Sequence, residues 1–329
     1  MRAPDFWSKE PGFLAGLLTP LGTALDAAGR LRRAMARSYR APVPVICVGN
    51  IVAGGSGKTP VGLSLAAILA THGVNTAIVM RGYGGSLAGP VRVAPQRHDA
   101  SAVGDEAFLA AAVAPCWVAR DRAAGVEAAV AGGAAAIILD DGFQNPHVAK
   151  DLSLVVVDAE YGFGNGKLIP AGPLRERIDA GLARADAIVL IGDGAPPATA
   201  GKPTLNATLE PIDGDRFAGL PVLAFAGIGR PRKFFAGLRA LGPVVVAERG
   251  FPDHHPYRPA ELAALRSEAA AKGARLVTTR KDWVRLAEPE RAGIDVLDVA
   301  LRWREPAALN ALLAPLIKRI GNDRRAAPA

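Results

Sequence analysis

The chain has 329 residues, a formal net charge of +8, half of its residues hydrophobic and 21% charged. That is chain enough for about two domains and apolar enough to bury their cores, which excludes a disordered or collagen-like protein. The basic surplus suits anionic partners without choosing among nucleic acid, phosphates and an anionic membrane face, and the two cysteines, Cys47 and Cys116, lack metal-like spacing and fit a reducing cytosol better than a disulfide framework.

Residues 1–40 form a segment of their own. "FW" at 6–7 and "FLAGLLTPLGTAL" at 13–25 are apolar, and Arg30, Arg32, Arg33, Arg37 and Arg40 follow. An apolar, aromatic-bearing helix ending in clustered arginine suits a membrane interface, with Phe6, Trp7, Phe13 and the leucines dipping in. The plainer alternative is a helix packed on the protein with its arginines in solvent. No run reaches the roughly 18 uninterrupted apolar residues of a transmembrane helix, and Asp5 and Glu10 interrupt any signal-peptide core.

From residue 43 strand-like and helix-like runs alternate: "VPVICV", "NTAIVM", "AAAIILDD", "DLSLVVVD" and "DAIVLIG", with helical runs such as "DRAAGVEAAVAGG" between some of them. Continuous Val- and Ile-rich runs predict buried parallel strands, hence an α/β domain with helices on both faces. Cys47 lies in the first of these runs and reads as core packing. Near 193–216 the texture becomes loop-like, and "LNATLEPI" reads as an extended connector. A second α/β set follows through "VLAFAGIG", "VVVAE", "ARLVTT" and "IDVLDV". The fold class expected is two α/β/α domains, a P-loop-like parallel sheet over 41–208 and a smaller domain over 209–302. An interface segment over 1–40 precedes them, and a C-terminal helix and tail over 303–329 follow, frayed after 320.

"GNIVAGGSGKTP" at 49–60 lies between a strand-like and a helix-like run. It matches the phosphate-loop pattern G-x-x-x-x-G-K-[ST] at Gly57, Lys58 and Thr59, with Val52 where the strict pattern has glycine. Gly54, Gly55, Ser56 and Gly57 would turn backbone N–H groups toward phosphate oxygens, Lys58 would reach the β- and γ-phosphates, and the Thr59 hydroxyl would face Mg²⁺. "AAAIILDDG" supplies the matching acids, Asp140 and Asp141, at a strand end. The loop lacks the early signature lysine of membrane-associated P-loop ATPases. "TTRKD" at 278–282 is spaced wrongly for GTPase base reading and reads better as a strand end followed by a helix cap.

Further motifs follow in order: "RGYGG" at 81–85, "VGDEAFL" at 103–109, "LDDGFQN" at 139–145, "LIPAGPLRE" at 168–176, "FPDHHPY" at 251–257 and "TTRKDWVRL" at 278–286. With the phosphate loop they resemble the tetraacyldisaccharide 4'-kinase family over residues 43–286. The resemblance implies an enzyme that uses ATP and Mg²⁺ to phosphorylate the 4'-hydroxyl of the lipid A disaccharide precursor. It places that enzyme at the cytoplasmic face of a Gram-negative inner membrane, with its active site between two domains. It implies nucleotide and metal roles for Lys58 and Thr59, metal-side roles for Asp140 and Asp141, and a catalytic pair of Asp105 and His254, His254 being favoured over His255. Arg122, Arg175 and Glu106 would lie near substrate or phosphates. Asp105 would accept the hydroxyl proton and His254 would orient it, brought together by domain closure. Asn145 departs from the family's "DDGFQH". The expected partners are the anionic lipid disaccharide and the membrane surface, with no protein partner indicated. A P-loop switch or transport ATPase is the competing reading; a nucleic-acid binder lacks any motif.

Overall fold

The computed structural model describes residues 4–194 and 199–326. Among these, the strands are β1 (Val45–Gly49), β2 (Thr76–Met80), β3 (Val91–Arg92), β4 (Cys116–Val118), β5 (Ala136–Asp140), β6 (Leu152–Asp158), β7 (Ala187–Ile191), β8 (Thr204–Ile212), β9 (Pro221–Ala226), β10 (Val244–Gly250), β11 (Arg275–Thr279) and β12 (Ile294–Trp303). The helices are α1 (Phe13–Met35), α2 (Lys58–Thr71), α3 (Ala100–Val103), α4 (Asp105–Ala110), α5 (Arg122–Ala131), α6 (Ile178–Ala183), α7 (Pro231–Ala240), α8 (Pro259–Ala271), α9 (Arg280–Trp283) and α10 (Pro306–Ala326).

The strands form one sheet in the order β10-β9-β11-β12-β8-β7-β6-β1-β5-β2-β4-β3. Both halves are parallel, apart from the edge pair β3–β4, and they meet at an antiparallel ladder in which Leu209 faces Leu301 and Ala207 faces Trp303. The connector read in "LNATLEPI" is therefore β8, the strand that joins the two halves. Its alternation of buried and partly exposed residues hides it from a search for continuous apolar runs. β3 and β4 also escape that search, being two and three residues long at the sheet edge.

β1 shows why both faces are covered. Ile46 and Val48 point into a core with Val61, Leu65 and Leu69 of α2 and with Leu309 and Leu313 of α10. Val45 packs with Val126 and Ala129 of α5, while Cys47 joins Leu182 of α6 and Phe143. In the second half, Phe235 and Leu238 of α7 cover one face, and Leu262 and Leu265 of α8 the other. α10 thus docks on the first half although it follows the second in sequence. It is helical to Ala326, past the point at which the sequence suggested a frayed tail, and propensity does not explain this, since Gly321, Asn322 and Asp323 are poor helix formers; residues 327–329 lie outside the described residues.

α1 is amphipathic with its apolar side outward. Phe13, Leu14, Leu17, Leu21, Leu25, Leu31 and Met35 are exposed, whereas Ala15, Gly22 and Asp26 face the protein. A side chain at Gly22 would sit 3.0 Å from Cβ of Leu168, so glycine sets the close approach. Trp7 differs from the sequence expectation: its indole N–H donates to the carbonyl of Pro170 at 3.1 Å and its own carbonyl accepts from Asn165, which ties the ring to the protein. No described helix is long and apolar enough to cross a membrane.

Candidate active site

The phosphate loop leaves β1 and enters α2. Asn50 is buried beneath it and donates to Oγ of Ser56 at 3.0 Å, drawing the loop into a closed turn. Gly57 caps α2 at φ +85°, the left-handed region, and a side chain there would collide with Ile191 at 2.5 Å. Above Gly54 and Gly55 the space is open, and the α2 N-terminus points its free N–H groups into that space. The segment carrying "PAGPLR" braces the loop from outside: Ala53 N–H donates to the Pro173 carbonyl and Arg175 N–H to the Ile51 carbonyl, each at 2.8 Å.

The two acids ending β5 have different partners. The Thr59 hydroxyl donates to Oδ2 of Asp140 at 3.0 Å, and Oδ1 of Asp140 is buried without a partner. Burial, reinforced by the negative charge of Glu106, pushes the Asp140 carboxyl up to about 7 against the pull of Lys58. Asp141 sits at φ +50° and turns outward, with Lys58 Nζ 3.6 Å and Arg175 Nη1 2.9 Å from its Oδ1. Burial acts upward on its carboxyl too, but Lys58 and Arg175 overcome it and hold the group below the usual carboxylate range. An orphaned carboxylate oxygen beside a hydroxyl is a hard-oxygen donor set that fits Mg²⁺. The described residues hold no cluster of three or more metal-binding side chains, and Mg²⁺ commonly completes its shell with phosphates and water.

Arg122 begins α5, buried; its Nη1 donates to the Ala119 carbonyl at 2.7 Å and its Nε is orphaned. Burial pulls its proton affinity down, while the charges of Asp141 and Asp140 raise it. Gln144 is a residue that sequence reasoning passed over. Its amide nitrogen donates to the Asn50 carbonyl at 2.7 Å and to Oε1 of Glu176 at 2.9 Å, and its oxygen accepts from Arg175.

Asp105 and His254 lie 149 residues apart in sequence, and the structure brings them together, Nδ1 of His254 being 3.0 Å from Oδ2 of Asp105. His254 holds a left-handed backbone at φ +57°, and the Tyr83 ring of "RGYGG" packs on its imidazole with centroids 5.0 Å apart. His255 turns the other way, with Nε2 3.0 Å from Glu261 and its ring stacked on Phe251. In "TTRKD", Thr279 caps α9 by accepting from the N–H of Asp282, the helix-cap reading. The cap also aims two cations across the cleft: Lys281 Nζ reaches Oε1 of Glu106 at 3.0 Å, and Arg285 Nε donates to Oδ2 of Asp105 at 2.7 Å. Burial raises the Asp105 carboxyl, but the His254 hydrogen bond and the charges of Lys281 and Arg285 outweigh it and hold it far below the usual range.

A second clasp spans the halves on the other side of the loop. Arg230 and Lys233, at the start of α7, reach Oδ2 of Asp158 at 2.9 and 2.8 Å, and Arg230 covers the Tyr161 ring. The phosphate loop therefore lies between two inter-half ionic contacts.

A parallel sheet with a glycine loop, a lysine and a hydroxyl facing strand-end acids, and an acid–histidine pair across the cleft define a kinase of the phosphate-loop class. Residues 14–318 match the family model described as tetraacyldisaccharide-1-P 4'-kinase. A protein named tetraacyldisaccharide 4'-kinase from Rhodospirillum centenum is 53% identical, covering 96% of this chain and 97% of its own. One of the same name from Rhodospirillum rubrum is 52% identical, covering 96% and 98%. A crystal structure of LpxK from Aquifex aeolicus, described as an "apo" form in complex with ATP, superposes with a TM-score of 0.75 at 27% identity, covering 93% of this chain and 100% of that one. The chain belongs to the tetraacyldisaccharide-1-P 4'-kinase family.

Proposed function

We propose that this protein transfers the γ-phosphate of ATP to the 4'-hydroxyl of tetraacyldisaccharide 1-phosphate in lipid A biosynthesis, at the cytoplasmic face of the inner membrane. The observation that carries this is one continuous site. Lys58 and Thr59 meet Asp141 and Asp140 on one side, Asp105 meets His254 on the other, and Glu106, next to Asp105 in sequence, pairs with Lys281. The family membership supplies the acceptor.

In this reading residues 54–59 cradle the phosphates, and Arg175 and Arg122 add positive charge beside them. Thr59, Asp140 and Asp141 would hold Mg²⁺, which when bound neutralises charge on the transferring phosphoryl group. Asp105 and His254 form the proton-accepting pair, and Glu106 keeps Lys281 in place. The 209–302 unit closes on the 41–208 unit and shields the cleft from water, while the outward leucines of α1 and the arginines from Arg30 to Arg40 seat the protein on an anionic membrane.

The test is transfer from γ-labelled ATP with Mg²⁺ and detergent-dispersed tetraacyldisaccharide 1-phosphate. Label enters the lipid with the native chain and not with Lys58→Ala. Label released only as inorganic phosphate would overturn the kinase reading for this acceptor.

A further inference from the structure

β6 lies next to β1 in the sheet, so Asp158, the last residue of β6, stands beside the root of the phosphate loop. Two cations from the second half meet a single oxygen of this acid. Nζ of Lys233 donates to Oδ2 at 2.8 Å, and Nη1 of Arg230 forms an ion pair with the same oxygen at 2.9 Å. Oδ1 accepts from the N–H groups of Glu160 and Tyr161, each at 3.1 Å. Burial raises the carboxyl, but the Lys233 hydrogen bond and the Arg230 charge outweigh it and hold the group below the usual carboxylate range. Asp158 is therefore an anion with a cation to spare. If Arg230 left, Lys233 and the two N–H groups would remain, and no buried charge would be stranded.

Arg230 stands at the phosphate loop. It lines one small cavity together with Gly54, Gly55 and Ser56 of the loop and with Asp158 and Tyr161. The residue before it, Gly229, comes against the loop itself: a side chain there would put its Cβ 3.7 Å from the backbone nitrogen of Gly55. The guanidinium lies over the Tyr161 ring, 4.4 Å from its centroid, and the side chain is 30% exposed against 7% for Asp158. The arginine, not the acid, is the partner with room to move. A phosphate chain carries more negative charge than one carboxylate, and a guanidinium grips phosphate oxygens with two parallel N–H groups.

We propose that Arg230 is a nucleotide-binding residue supplied by the second half of the sheet: it exchanges Asp158 for the phosphate chain of ATP, while Lys233 stays on the acid. This rests on the nucleotide-binding part of the function proposed above and adds to it a cation that no sequence motif marks. Asp158 is the resting partner of Arg230 and competes with the nucleotide for it. The exchange keeps the halves bridged throughout, by Lys233 through the acid and by Arg230 through the nucleotide, so that bound ATP helps to hold the cleft shut.

Asp158→Asn and Arg230→Gln separate this exchange from a purely structural clasp. Either change breaks the contact, but only the exchange gives the two opposite signs. Dissociation constants for ATP with Mg²⁺, and for adenosine in competition with a fluorescent ATP analogue, are measured on the full chain, each variant being checked for a native-like thermal transition. Arg230→Gln is expected to weaken ATP binding by about tenfold, the loss of one charge-assisted contact, and to leave adenosine binding unchanged. Asp158→Asn is expected to tighten ATP binding by about two- to fivefold, because the arginine no longer has to leave an anion. The two changes combined should bind ATP like Arg230→Gln alone, and Arg230→Lys should fall between Arg230→Gln and the native chain. Weaker ATP binding in both single variants would make the contact a clasp and overturn the proposal, as would equal losses for ATP and adenosine in Arg230→Gln. The kinase reading fails separately, if label goes only to inorganic phosphate while these signs hold.

Discussion

The Thr59 hydroxyl and Asp140 are joined at 3.0 Å in a way that leaves the second oxygen of Asp140 buried and unpartnered. A polar atom left in that state costs stability, and it lies where a cation between protein and phosphates would find a ligand. The acid is kept at the expense of the free protein's stability, a common trade in active sites.

Asp140→Asn is therefore expected to abolish most transfer yet raise the melting temperature of the metal-free protein. The sign follows from the shift. The Asp140 carboxyl goes from an ordinary 3.8 up to about 7 in the folded protein. A raised folded value means the contribution to stability is full below the ordinary value and is lost as pH rises toward 7. The gap between Asn variant and native chain should widen from about pH 4 to about pH 7 and then level off. Thermal unfolding in chelator across that range reads it; a constant gap would contradict the account.

Glu176 is fully buried and holds Arg184 by two hydrogen bonds of 2.7 and 2.9 Å, with Arg33 of α1 3.6 Å away. Gln144 links the same carboxylate to the backbone of Asn50, at the root of the phosphate loop. Glu176 is buried but Arg184 is 36% exposed, so removing the acid leaves a partly solvated cation and unpaired donors, at a cost of about 1–3 kcal/mol. Glu176→Ala is expected to lose that much in urea unfolding and to raise KM for ATP, because the loop loses its support. Glu176→Gln should lose less on both counts.

Much of this site was legible in the sequence because its parts are local. Loop, lysine and hydroxyl are contiguous, and the two acids end an unmistakable buried run. What escaped was whatever depends on distant segments meeting. Lys281 and Arg285 lie in a stretch read from sequence only as a strand end and helix cap, and that cap reading is correct for the backbone; only the joining of the second half of the sheet to the first brings them onto Glu106 and Asp105. Gln144 is one polar residue in a loop until the "PAGPLRE" segment is folded against it. The joining strand β8 was missed for the opposite reason, since an antiparallel strand exposed along part of one face carries a weaker apolar signal than its parallel neighbours.

Cys47 and Cys116 are both buried. Burial pushes the Cys47 thiol up to about 12 and raises Cys116 further. Neither offers the thiolate that alkylating reagents attack. Folded protein at pH 8 should give no reaction with a thiol-specific chromogen over an hour, and two equivalents once unfolded in denaturant. Fast labelling of the folded chain would show that the β1 or β4 core opens locally.

The outward face of α1 makes the last prediction, and the attachments of the segment decide how to test it. Deleting residues 1–40 would also strip Trp7 from Pro170 and Arg33 from Glu176, so lost vesicle binding could reflect damage to the protein. Leu17, Leu21 and Leu25 are more than half exposed and lie one helical turn apart, so changing them leaves those attachments intact. Full burial of a leucine contributes about 1.5–3 kcal/mol; even partial immersion of three should make their joint change to Ser weaken binding to anionic vesicles by about ten- to hundredfold. The melting temperature and transfer to detergent-dispersed acceptor should stay near native. Trp7→Phe should do the reverse, lowering stability by about 1 kcal/mol through its lost hydrogen bond with vesicle binding unchanged. Unchanged vesicle binding in the triple variant would place the membrane contact on another surface.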